Sequence, residues 1–113
     1  MPTDYTEDVK DLADEKYGFC KDYAEQRKKY GQAKSELDIH YATEIKSISE
    51  VKKNAGYETG LLILISLNSK LRTIYKEMIQ AEQNYKALEK IIDGFDSKIS
   101  SLQSVMKYNA KND

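Results

Sequence analysis

The sequence predicts an all-α protein, a long antiparallel helical hairpin of the coiled-coil type, and three observations carry that expectation. The 113 residues include one proline, Pro2, and five glycines. That is too few turn formers for a sheet protein of this size, whose strands would each end at a Gly-, Pro-, Asn- or Asp-rich corner. A third of the residues, 33%, are charged, so the apolar ones suit a narrow seam better than a thick core. Finally, the apolar residues recur at heptad spacing in both halves of the chain, and the one close pair of glycines, Gly56 and Gly60, lies between the halves.

The second half is the clearer. Counting Leu64 as position a, the a set is Leu64, Leu71, Met78, Tyr85, Ile92, Ile99 and Met106. The d set is Leu67, Ile74, Ala81, Leu88, Phe95, Leu102 and Asn109. All but Asn109 are apolar or aromatic. A spacing of 3.5 residues held over this length keeps one stripe facing a partner helix, whereas a chance amphipathic stripe drifts round the helix. The second helix is therefore placed at about 61–109. Gly94, inside this stretch, allows a third short helix to begin after it, from Phe95.

The first half repeats the pattern in Val9, Leu12, Phe19, Tyr23, Tyr30, Ala33 and Leu37, with Lys16 and Gln26 as exceptions. Beyond Leu37 the stripe passes through Tyr41, Ile45 and Ile48, an eleven-residue step that relaxes the supercoil. Asp4 is placed as the cap of this helix, with Glu7 three residues on, so helix one spans about 4–54. The turn falls at about 55–60, and the whole reads as a single helical-hairpin domain over 1–113. In an antiparallel hairpin the acidic start, eight acids against three lysines in residues 1–25, lies beside Lys98, Lys107 and Lys111.

Leu61, Leu62, Ile63, Leu64, Ile65 and Leu67 are apolar on every side of the second helix. One facing helix shields a stripe of only about 100°. These six residues are therefore the predicted oligomer interface, which makes the protein a homo-oligomeric bundle assembled at the hairpin tip.

Little in the chain carries chemistry. The 18 basic and 19 acidic residues nearly cancel, so global charge steers neither nucleic acid nor membranes to it. The longest apolar run is far short of the roughly 20 residues of a membrane span. Cys20 is the sole cysteine and the N-terminus lacks the layout of a secretory signal, which together predict a cytoplasmic protein. One histidine, His40, and one cysteine cannot make a zinc site, and no phosphate-binding loop, nucleophile elbow or zinc-hydrolase motif is written in the chain. The acid pairs Asp14-Glu15 and Glu36-Asp38 read as solvated helix faces. The expectation is a non-enzyme with no cofactor and no metal. Arg27, Lys28 and Lys29 form the one basic cluster, with Tyr23 and Tyr30 close by, and are the candidate nucleic-acid contact. Nine tyrosines against two phenylalanines and no tryptophan suit a thin bundle, where a ring packs in the seam while its hydroxyl reaches water.

Two stretches, Gly56-Tyr57-Glu58-Thr59-Gly60-Leu61-Leu62 and Ser97-Lys98-Ile99-Ser100-Ser101-Leu102-Gln103-Ser104-Val105-Met106-Lys107-Tyr108, resemble small coiled-coil proteins of phages and prophages of low-GC Gram-positive bacteria, often encoded among early recombination and replication genes. The resemblance spans roughly residues 30 to 108 and brings no catalytic motif with it. It implies an accessory protein in the host cell cytoplasm that oligomerises and binds a phage or host protein of DNA recombination, replication or host defence. Two other readings stay open: a helical-hairpin partner of a type VII-like secretion system, although Ala55-Gly56-Tyr57 stands where such partners have Trp-x-Gly, and a weak nucleic-acid-binding accessory protein.

Overall fold

The computed structural model describes residues 4–44 and 56–112. Of these, 96% are helical, the fold is all-α and of the helical-hairpin kind, and no strand occurs among them. The helices are α1 (Thr6–Glu44), α2 (Tyr57–Leu67) and α3 (Ser69–Asn112).

Helix α1 begins at Thr6, two residues after the predicted start at Asp4. Asp4 Oδ1 accepts the backbone N–H of Thr6 at 2.9 Å and the Thr6 hydroxyl as well. One of the amides that a helix start leaves without an intrahelical partner is thereby satisfied. The Thr6 hydroxyl and then its amide hold the Asp4 carboxyl below its ordinary value of 3.8. The cap accordingly contributes above that pH and is lost as pH falls through the depressed value. Residues 45–54, the end of the predicted first helix, lie outside the described residues, as does Ala55 of the predicted turn.

Two features of the second half differ from the sequence reading. Tyr57–Gly60, assigned to the turn, already belong to α2, whose first turn is closed by the Gly60 N–H donating to the Gly56 carbonyl at 3.0 Å. The single helix expected over 61–109 is divided, and the division falls at Asn68 and not at Gly94. Helix α3 runs through Gly94 without interruption. A glycine in an exposed helix interior weakens the helix without having to break it.

The described residues pack as two units. The first joins the chain up to Glu25 with the chain from Asn84 onward. Here α1 and α3 run antiparallel: the Thr6 hydroxyl meets Met106 Sδ at 3.9 Å, Lys16 pairs with Asp96, the Phe19 and Phe95 rings lie 5.4 Å apart, and Tyr23 meets Tyr85 edge-on at 6.0 Å. Tyr85 is buried, while Val9, Leu12, Phe19, Tyr23, Leu88, Ile92, Phe95, Ile99 and Leu102 are half-buried. Two helices alone can cover only part of each other's stripe. The second unit, Gln26–Gln83, holds the tighter core. Ala33 and Leu37 of α1, Leu61, Leu64 and Ile65 of α2, and Leu71 and Ile74 of α3 form one buried cluster, edged by Tyr41, Tyr75 and Met78.

The heptad stripe of the sequence is the stripe that packs. Every a and d position from Leu71 to Asn109 is buried or half-buried, as is Leu64. Lys16 and Gln26, the exceptions in the first half, also occupy seam positions and are half-buried. Lys16 tolerates its place because its aliphatic stem can lie along the apolar stripe while the ammonium reaches Asp96. The hydrogen bond that the ammonium donates to Asp96, followed by the charge of that carboxylate, raises the Lys16 pKa above the ordinary 10.5. A raised folded value means that the pair's contribution is complete below 10.5 and is lost as pH rises through the folded value. Melting curves of the parent and of Lys16→Met between about pH 9 and pH 12 test this. The parent should show a component of destabilisation above pH 10.5 that the variant lacks, and parallel curves would show that the pair contributes nothing.

Candidate functional site

The most distinctive local structure is the joint between α2 and α3, one residue long. Asn68 has extended backbone angles, φ −131° and ψ 111°. It serves both helices. Its N–H donates to the Leu64 carbonyl at 3.0 Å and so closes α2, while its side-chain Oδ1 accepts the N–H groups of Lys70 at 3.0 Å and Leu71 at 3.2 Å and so caps α3. Asparagine is among the best residues for this task because its short amide reaches the amides two and three positions on. Arg72, one turn into α3, returns to the end of α2. Its Nε donates to the Ile65 carbonyl at 3.4 Å and its Nη2 to the Ser66 carbonyl at 3.1 Å. These carbonyls belong to the negative end of α2, where a guanidinium is favoured twice, as donor and as cation. The Ser66 hydroxyl adds a bond to the Ile63 carbonyl at 2.6 Å.

This joint redistributes the predicted oligomer interface. Leu61, Leu64 and Ile65 are buried, and Leu64 is only 1% exposed, because Ala33, Leu37, Leu71 and Ile74 cover them within the chain. Ile63 is half-buried. Leu62 and Leu67 remain open, 57% and 63% exposed. Of the six residues proposed to meet a second molecule, Leu62 and Leu67 are thus the exposed ones. Neither Asn68 nor Arg72 stands out in the sequence; the signal for the joint is Asn68-Ser69, a favoured cap and first-turn pair, set inside an apolar pattern that runs on unbroken.

Arg27, Lys28 and Lys29 are all exposed on α1. Consecutive helical residues point in directions about 100° apart, so the three charges fan round the helix and do not line one face. Tyr23 packs its ring edge-on against Tyr85 and Tyr30 is half-buried.

His40 lies 3.4 Å from Glu44, one turn along α1, and is half-buried, as is Cys20. Asp14, Glu15, Glu36 and Asp38 are exposed. Among the described residues no group of three or more His, Cys, Asp or Glu side chains could hold a metal ion. In the first unit Asp8, Asp11 and Lys98 share an open groove with Tyr5, Leu12 and Leu102, the meeting of the acidic start with a C-terminal lysine that the hairpin predicts. A second open groove is lined by Gly18, Phe19, Lys21, Asp22 and Glu25. Carboxylates set in such open grooves stay in reach of water and are available for surface contacts.

No described helix is long and apolar enough to cross a membrane. No protein-family model, no curated protein and no solved structure matches the chain.

Proposed function

We propose that this chain is a non-enzymatic accessory protein of phage type, active in the host cell cytoplasm, that self-associates through its helices and binds a protein partner of DNA recombination, replication or host defence. The observation that carries the reading is the exposure of Leu62 and Leu67 on a helix whose other leucines are buried. Large apolar side chains held open on a short rigid helix suit a protein–protein contact. Full burial of both would contribute up to about 3–6 kcal/mol per chain before association entropy. The phage setting draws its support from the resemblance of the Gly56–Leu62 and Ser97–Tyr108 stretches.

Light scattering tests the self-association. The parent should have at least twice the monomer mass of 13.0 kDa, and Leu62→Lys combined with Leu67→Lys should return it to the monomer with unchanged helicity, since both positions face solvent within the chain. A parent that stays at the monomer mass at tens of micromolar would sink this reading.

A further inference from the structure

The heptad register does not register the break. Leu64, Leu67, Leu71 and Ile74 follow one another at spacings of 3, 4 and 3 across Asn68, in phase with the stripe that continues to Asn109. Three of the four are buried, and Leu67, next to the joint, is the one left exposed. A leucine thus stands in the phase of a seam that it does not join. It fails to join because Asn68 alone leaves the helical conformation. Were Asn68 helical, α2 and α3 would be one continuous helix and Leu67 would fall between Leu64 and Leu71 on a single stripe.

Straightening also changes what covers α2. In the bent form the residues that enclose Leu61, Leu64 and Ile65 include Leu71 and Ile74 of α3. On a continuous helix Leu71 and Ile74 are collinear with α2 and cannot fold over it. A helix apolar on every side then needs more than the one stripe of cover that a single facing helix supplies. A second copy offers the same 3.5-residue stripe, which pairs with itself about a two-fold axis, and opening a hinge that lets the same chain replace its own contacts is a low-cost route to a dimer.

We propose that Asn68 is a hinge between two forms of the chain: the bent form, and a straight one in which α2 and α3 are one helix whose stripe Leu64, Leu67, Leu71 and Ile74 packs against a second copy. This deepens the self-association reading and rests on it. The bent form is held by the Asn68 cap and by Arg72 on the Ile65 and Ser66 carbonyls.

Two neighbouring substitutions separate the forms. Asn68→Ala removes the cap and adds a strong helix former, so it favours the straight form and should tighten dimerisation about tenfold. Ser69→Pro does the reverse. Ser69 is the first residue of α3, a position proline suits, and the extended backbone of Asn68 is what a following proline prefers. In a continuous helix the same proline would remove the bond from residue 69 to Ile65 and clash with that turn. Ser69→Ala is the control.

Masses are read by light scattering over a concentration series. Distances are read between spin labels at Glu58 and Lys76, which a continuous helix would hold about 27 Å apart, with unlabelled chain in excess. The expected result is a tighter dimer with the continuous-helix distance for Asn68→Ala, and a helical monomer with a shorter distance for Ser69→Pro where Ser69→Ala dimerises as the parent does. If Ser69→Pro dimerises like Ser69→Ala, assembly uses the bent form: the hinge is overturned and self-association stands. If Asn68→Ala straightens but stays monomeric, the second copy is overturned. If every variant is a monomer, both readings fail together. Should Ser69→Pro lose its helicity, Asn68→Ala against Ser69→Ala decides, and equal dimerisation of those two overturns the hinge.

Discussion

Leu37→Ala is expected to destabilise the protein by about 2–5 kcal/mol, the cost of removing a buried leucine side chain and leaving part of its cavity. Leu37 is 1% exposed at the centre of the cluster formed with Leu61, Leu64, Leu71 and Ile74. Helices this thin have few other atoms to move into the space. Leu88→Ala, on the heptad stripe of α3 and half-buried in the first unit, should cost roughly half as much, because less apolar area leaves water when it folds. Denaturant titration of the two variants beside the parent measures both numbers. Equal losses would show that the seam around Leu88 is as well covered as the Leu37 cluster, and would place an additional covering surface over the first unit.

The largest expected gain comes from three glycines. Gly18, Gly31 and Gly94 lie inside α1 and α3, and a Cβ built on any of them meets nothing within 4 Å. No described glycine has a positive φ, so none is needed for its conformational freedom. Alanine at each position limits the unfolded chain and suits the helix, worth about 0.5–1 kcal/mol per site. Added together the three effects come to about 1.5–3 kcal/mol, with Gly18 and Gly94, which adjoin the packed Phe19 and Phe95 rings, the pair placed to couple. A rise in the urea midpoint with an unchanged slope is the expected reading. A triple variant no more stable than the parent would mean that one of these glycines is closely approached by another chain, and the three single variants would identify which.

How much of this was legible in the sequence depends on the range over which each feature is decided. Asp4 was legible as a cap because a cap is a contact between residues two or three apart. The seam of α3 was legible because heptad spacing is a property of the helix itself, and the half-buried Lys16 shows that even an apparent exception kept the register. Gly94 allows a break but does not make one, since its deficit of about 1 kcal/mol is small beside the packing of the turns on either side.

The joint at Asn68 and the fate of the apolar run lay beyond that range. The stripe Leu64, Leu67, Leu71, Ile74 keeps its phase through Asn68, so periodicity is blind to the break. What decides it is a competition between the few backbone bonds that one extended residue forfeits and the cover that Ala33 and Leu37, some thirty residues away, give to Leu61, Leu64 and Ile65 once α2 turns. The sequence by itself determined that the chain is helical and which stripe of α3 faces inward, because those follow from local propensity and spacing. Only the tertiary structure decided where the second helix divides and which of the six apolar residues stay open, because burial depends on what lies opposite, and no local pattern records that.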